Sequence, residues 1–408
     1  MEFNSQELRR RKALRQIQKQ DEAKKHKGRR IALLCILCVV LLGALGVTGY
    51  YIVKKINTPK PTPVTTAPVN TTVIHLAAAG DLNVTKKVVG TATDYTNTFL
   101  DVAPELSNAH LTALNFEGGL YGAPYGEDAS APPALPQALK NAGVDLVQLA
   151  NSFSIYRGTS GLAATISGMQ QEGLTTLGAW STPAEAQASG GYTICEVEGV
   201  KIAFVAFTKG MDGMALPASS YGCVNLLYKD YASSYQEVDE EGISKVLGAV
   251  EQEKPDLTVA MLHWGSTFND TVSTSQEKIV TLMQENGVDA IIGTHSHYVQ
   301  KMSFDPATGA FVAYSLGDFI GDADRPGSEY SVILDLEITK NNDTGETKIT
   351  GFSYTPIFTV TEGETLRVLK IDDAIAAYEN GYIDRVSQAT YEAMVYAKGR
   401  IDARIKAE

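Results

Sequence analysis

Short apolar runs ending in polar residues organise the chain from residue 73 onward. They read VIHLAAAGD (73–81), LTALNFEGG (111–119), VDLVQLANS (144–152), TTLGAW (175–180) and YTICEVEGVKIAFVAFT (192–208). DLTVAMLHWG (256–265), VDAIIGTHSH (288–297) and AFVAYSLGDF (310–319) continue the series. Helical stretches lie between several of them, at 133–142, 160–172, 235–253 and 275–286. Strand–helix alternation at this spacing predicts an α/β domain. YSVILDLEIT (330–339) and TKITGFSYTPIFTVT (347–361) have no helix between them and predict antiparallel edge strands. A closing helix is expected over 383–406, and no internal repeat is visible.

Upstream, the apolar pattern has no period at all. Residues 31–53 (IALLCILCVVLLGALGVTGYYIV) form an uninterrupted stretch of 23 uncharged residues. As a helix it would be about 35 Å long, enough for a hydrocarbon core of about 30 Å. Arg29 and Arg30 precede it, Tyr50 and Tyr51 sit near its far end, and Lys54 and Lys55 follow. A cleaved signal peptide has a shorter apolar region, of about 7–15 residues, so an uncleaved signal-anchor is the better reading. The clustered basic residues orient the N-terminus to the cytoplasm and the body to the outside of the cell membrane. NTPKPTPVTTAPVNTT (57–72) follows, an extended semi-rigid linker that spans up to roughly 50 Å.

Charge follows the same division. The 408 residues carry a formal net charge of -12, with 44% hydrophobic residues. The first 30 residues hold eleven Lys/Arg against four Asp/Glu, so the body is strongly acidic. That balance argues against a nucleic-acid binder, and the basic head reads as a topology determinant that also attracts anionic lipid. A polyanionic ligand of such a body needs a local cationic centre, since salt screens long-range repulsion only beyond about 8–10 Å. Cys35 and Cys38 fall in the apolar span, whereas Cys195 and Cys223 lie in the body, where the compartment permits them to pair. The expected divisions are a basic cytoplasmic segment (1–30), a transmembrane helix (31–53), a Pro/Thr linker (54–72), an extracellular α/β domain (73–365) and a C-terminal helical segment (366–408).

The candidate chemistry sits at the carboxyl ends of the apolar runs, where open α/β sheets form their sites. Asp81, Glu117, Asn151, His263, His295 and His297 each follow such a run. In an extended segment the i, i+2 spacing of His295 and His297 points both imidazoles at one place. Imidazole with carboxylate suits Zn, Mn or Fe. Trp264, Tyr298 and Phe319 offer a second reading, as a stacking surface of a wall-binding module, or else as packing residues.

The motifs AAGD (78–81), LNFEGGL (114–120), LANS (149–152), HWG (263–265), GTHSHYVQ (293–300) and AYSLGDF (313–319) occur in one order over the body. In these the chain resembles the bacterial capsule-synthesis CapA family, associated with poly-γ-glutamate production, a branch of the calcineurin-like metallophosphoesterases. The resemblance implies a four-layer αββα sandwich holding one or two divalent ions at the strand ends. Asp81, Glu117, His263, His295 and His297 would be ligands, and Glu117 would stand at the bridging acid's position. Asn83, Asn115, Asn151 and Asp318 are further candidates, Asp318 being either a substitute ligand or a turn-former. Partners implied are an anionic envelope polymer such as poly-γ-glutamate, or a phosphoester, together with membrane polymer-synthesis proteins. The chain departs from the family where Asn-Asn-His and a following Asp are usual: Ser152, Phe153 and Tyr156 stand there. Thr267-Phe268 replaces the usual Glu-Tyr, and Asp318 the usual Asn. Two functions therefore stay open, a metal-dependent hydrolase or transferase and a non-catalytic assembly or export factor.

Overall fold

Alternate residues of a strand face opposite ways, and here the two parities enter different cores. On β6 (Val200–Thr208), Ile202, Phe204 and Ala206 join one apolar cluster, and Ala203, Val205 and Phe207 the other. The same sorting runs through β7 (Leu257–His263) and β8 (Ala290–Thr294). Strands buried on both faces need cover on both, which two stacked sheets with outer helices supply.

The computed structural model describes residues 27–28, 33–51, 53–54, 70–322, 325–363, 365–382 and 386–406. The expected basic segment (1–30) and linker (54–72) fall mainly outside these. Leu33–Tyr51 forms a 19-residue helix of mean hydropathy 2.4, long and apolar enough to cross a membrane. It belongs to a unit separate from the body, which runs from Val69 to Glu408.

The body's first strands are β1 (Thr71–Asn83), β2 (Leu111–Glu117), β3 (Leu146–Gln148), β4 (Thr175–Leu177) and β5 (Thr193–Val197). After β8 come β9 (Met302–Phe304), β10 (Phe311–Ala313), β11 (Asp318–Ile320), β12 (Tyr330–Asn341), β13 (Thr347–Glu362) and β14 (Thr365–Lys370). One sheet has the order β14-β13-β12-β1-β2-β3-β4, with β11 paired to β1, and the other the order β5-β6-β7-β8-β10-β9. Helices α1 (Ala134–Ala142) and α2 (Gly158–Gln171) bury Leu135, Leu139, Leu162 and Ile166 against the outside of the first sheet. Helices α3 (Glu240–Glu253) and α4 (Thr274–Glu285) do the same for the second with Ile243, Leu247, Ile279 and Met283. The result is the four-layer αββα sandwich expected.

Several expectations change. The run 192–208 is a hairpin, β5 and β6, because Glu198 and Gly199 both take positive φ (48° and 75°) and turn the chain. The helix expected from 235 begins at Glu240, where the Asp239 side chain caps it by accepting from Gly242 N–H. β12 and β13 are antiparallel but interior, and β14 is the edge. Residues 366–370 therefore belong to the sheet, so the segment 366–408 is not purely helical; α5 (Ile371–Glu379) and α6 (Gln388–Ile405) pack back on β13. β1 begins two residues inside the expected linker, at Thr71. Cys195 and Cys223 are free thiols rather than a bridge. Trp264 and Phe319 are fully buried: the indole N–H donates to Tyr314 O at 2.9 Å, and Phe319 stacks on Phe99. These two are packing residues and no stacking surface.

The largest departure places the site. AFVAYSLGDF is two strands in different sheets: β10 pairs with β8, then the chain crosses and β11 pairs with β1. The crossing needs Gly317 at φ 82° and no side chain at Gly80, whose Cβ would overlap the Gly317 carbonyl. Gly80→Ala is expected to destabilise the body by about 3 kcal/mol in urea unfolding of the full chain in detergent. Gly351→Ala, whose Cβ meets nothing within 4 Å, should stay within about 0.5 kcal/mol of wild type. Equal stability of the two variants would contradict the role given to the crossing.

Candidate metal centre

Both sheets deliver their polar strand ends to one place. Asp81 is register partner of Asn115 on β2 and of Asp318 on β11, and Asn83 of Glu117. From the second sheet, His263 ends β7, and His295 and His297 follow β8. The His295 N–H donates to Asp81 Oδ2 at 2.9 Å, tying the loop after β8 to the first sheet.

The ligand-capable atoms form two groups, each with all its atoms within 4.8 Å of one another: Glu117, His263 and His295, and Asp81, His297 and Asp318. The expectation that the two histidines point at one place is thereby corrected. The segment is coiled, with His295 at φ 88° and His297 at φ 59°, so one imidazole goes to each group. Left-handed φ at a non-glycine residue costs of order 1–3 kcal/mol, and histidine tolerates it better than most. The rings of His263 and His295 lie 4.3 Å apart by centroid, those of His295 and His297 6.2 Å.

Asn115 orients both groups. Its amide donates to Asp81 Oδ1 at 2.6 Å and to Glu117 Oε1 at 3.3 Å. Asn151 stands behind it, donating to Asn115 Oδ1 at 2.9 Å and Phe116 O at 2.8 Å and accepting from Phe153 N–H. Both ends of Asn151 are thus spent on bracing, outside the two groups. Asn83 hydrogen-bonds Asp318 from the rim. Asp318 is no mere turn-former: it lies 2.7 Å from His297 Nδ1. Reading by strand ends overlooked Thr208, although it closes the apolar run of β6. Its hydroxyl donates to Gly210 O at 2.8 Å, so it accepts from His263 Nδ1 at 3.2 Å. That leaves His263 Nε2 facing Glu117 Oε1 at 2.5 Å, where the pair holds one proton or one cation.

Burial sets the electrostatics. It pushes Asp81 up to about 7, with the Glu117 charge adding to it, and Glu117 up to about 7 as well. Asp318 is also raised by burial. Desolvation drives His263 down to about 3 and His295 well below its ordinary value. Desolvation acts downward on His297 too, but the charge and hydrogen bond of Asp318, then Glu117 and Asp81, outweigh it and lift the ring to about 10. Three buried carboxylates beside three imidazoles, two of them held neutral, form a mixed O/N donor set suited to borderline divalent ions, so the residues fit a metal centre.

Above the groups lies a cleft of about 330 Å³ lined by Ser152, Phe153, Thr267, Phe268 and Arg325, among others. Phe153 is half-buried there and lies 5.7 Å from the Tyr156 ring.

Fold and strand-end site together define a two-sheet α/β domain with a candidate metal centre where the sheet ends meet. The sequence model of the family described as bacterial capsule synthesis protein PGA_cap matches residues 75–323. The chain belongs to that family. It is 26% identical over 259 residues to the capsule biosynthesis protein CapA of Bacillus anthracis, covering 61% of this chain and 59% of that protein. It is 23% identical over 214 residues to the PGA biosynthesis protein CapA of Bacillus subtilis (strain 168), covering 52% of each. The chain thus spans between half and three-fifths of the length of these relatives. Among solved structures, a Mycoplasma pneumoniae phosphatase matches with a TM-score of 0.43 at 14% identity, over 71% of this chain and 94% of its own. The calcineurin-like phosphoesterase YfkN from Bacillus subtilis matches at 0.41 and 14%, over 80% and 99%.

Cation uptake must displace the His297 proton, held to about 10, and the protons of Asp81 and Glu117, held to about 7. Affinity is therefore expected to rise with pH between 6 and 8, by about tenfold per pH unit for the His297 proton, and more steeply below about 7, where Asp81 and Glu117 also release theirs. Chelator competition at the two pH values checks this, and an affinity independent of pH would contradict it.

Proposed function

We propose that the chain is a membrane-anchored capsule-biosynthesis factor whose external domain holds two divalent cations and acts on a phosphoester or an anionic envelope polymer. The carrying observation is the convergence of six buried or nearly buried ligand side chains from both sheets into two adjoining groups. Glu117, His263 and His295 would hold one ion, and Asp81, His297 and Asp318 the other, with Mn, Zn or Fe fitting the donors. Bound there, such ions supply Lewis-acid polarisation of an oxygen and a water of lowered pKa.

The chain's own residues do the positioning. Asn115 keeps Asp81 and Glu117 turned to the centre, and Thr208 fixes the His263 ring so that Nε2 faces inward. Phe153 and Phe268 give the cleft an apolar wall. The anchor reading rests on the apolar helix Leu33–Tyr51, and the inward orientation of the N-terminus on the basic residues before it. An anionic polymer and membrane polymer-synthesis proteins are the partners this role calls for. The two-sheet body Thr71–Lys370 would be the working domain, with the helices Ile371–Glu379 and Gln388–Ile405 packed against it.

Phe153 favours a second reading, assembly or export without turnover. Its ring lines the cleft where resembling chains carry a histidine, and a phenyl group cannot deliver a proton.

The full chain, purified in detergent, should contain about two divalent ions by mass spectrometry, falling to about one in His295→Ala and in Asp318→Ala. No bound metal in wild type under metal-replete conditions would sink the proposal. Phosphodiester turnover then separates the two readings. Ser152→Asn/Phe153→His should raise the rate by about 10²-fold or more if the lost proton donor is limiting. Wild type turning over as fast as this variant would dismiss the assembly-only reading.

A further inference from the structure

Arg157, Arg367, Arg400 and Arg404 each pair with a carboxylate. Among the described residues, Arg325 pairs with none. It is exposed, and it is the cleft's sole Lys or Arg. Of the lining acids, Glu117 and Asp318 belong to the two ligand groups, Asp322 accepts from the Thr85 hydroxyl, and Asp212 makes no ion pair with Arg325.

The guanidinium is nonetheless held in place. Its central carbon lies 5.0 Å from the centroid of the Phe268 ring, and that ring stacks on His297 at 5.0 Å and 28°. Phe268 is itself fixed. It takes φ 54°, its N–H donates to Ser296 O at 2.8 Å, and its edge meets Tyr298 at 5.9 Å. Tyr298 is pinned in turn, with its hydroxyl donating to Pro326 O at 3.0 Å and Arg404 5.0 Å from its ring. A guanidinium laid on an aromatic face keeps its N–H perimeter free, and that perimeter matches the paired oxygens of phosphate or carboxylate.

We propose that Arg325, seated on Phe268 above His297, is the residue that recognises the ligand's oxyanion, a phosphate or a carboxylate, at the mouth of the cleft. The inference rests on the two ligand groups being a cation centre. Loaded with two divalent ions, that centre outweighs its three carboxylates, and Arg325 extends the positive field outward to the solvent. In an acidic body such a local field is what admits a polyanion.

The test is calorimetric titration of the full chain in detergent, loaded with Mn²⁺, using inorganic phosphate and, separately, a glutamate pentamer. Wild type should bind at least one probe. Arg325→Gln should weaken that probe by about tenfold or more, and Arg325→Lys by less, with metal content unchanged. Whichever probe depends on Arg325 identifies the oxyanion. Equal affinities in wild type and Arg325→Gln, with metal retained in both, would overturn the assignment of Arg325 alone. Failure of metal-loaded wild type to bind either probe would overturn it too. A wild-type chain that takes up no metal would instead overturn the cation centre and this inference with it.

Discussion

The body depends on one backbone approach, that of Gly80 on β1 to Gly317 ahead of β11. The Asp81 N–H donates to Gly317 O at 3.0 Å, and Leu316 N–H donates to Gly293 O at 3.1 Å. One four-residue crossing therefore bonds to both sheets within a few residues of the ligands. Sheets stacked face to face stand about 10 Å apart, a gap that facing side chains span, and the crossing fixes the two sheet ends against each other beside the ligands. The crossing also sets Asp81 and Asp318 as register partners, so one ligand pair is positioned by ladder geometry rather than by loop conformation.

The site built on that link opposes the stability of the fold. Three carboxylates and three imidazoles are gathered with little water, and the carboxylates repel one another. A buried network of this kind persists only when every member has a partner. Asn115 between Asp81 and Glu117, Thr208 behind His263 and Asn151 behind Asn115 provide those partners from residues that bind nothing themselves. Their placement at strand ends orients the ligand side chains before any cation arrives.

Much of this was readable from residue order. Apolar runs fixed the strands and their ends named Asp81, Glu117, His263, His295 and His297, because a parallel sheet must turn out of its core at the same edge each time. Asn115 was readable as a candidate, but not its job, which depends on a partner 34 residues away. The crossing in 310–319 was hidden because an apolar run looks the same whether it serves one sheet or two, and only the positive φ of Gly317 separates β10 from β11. Local spacing likewise misjudged the histidine pair, whose left-handed backbone is imposed by the loop's contact with Asp81. Trp264 and Phe319 could be read from sequence as a surface or as packing, because aromatic residues serve cores and interfaces equally. Phe268 and Arg325 lie 57 positions apart and meet only in the folded chain, where the guanidinium lies on a ring that itself stacks on His297.

The chain enters the body at Thr71 directly into β1, which is hydrogen-bonded to β12 on one side and β2 on the other. Tension applied through the residues before it therefore acts along the length of a central strand. It loads the β1–β12 ladder in shear, with many hydrogen bonds sharing the force, instead of peeling an edge one bond at a time. A domain held by its N-terminus against flow or a growing polymer would resist extraction best in this geometry, and the strand that bears the force is the one that carries Asp81.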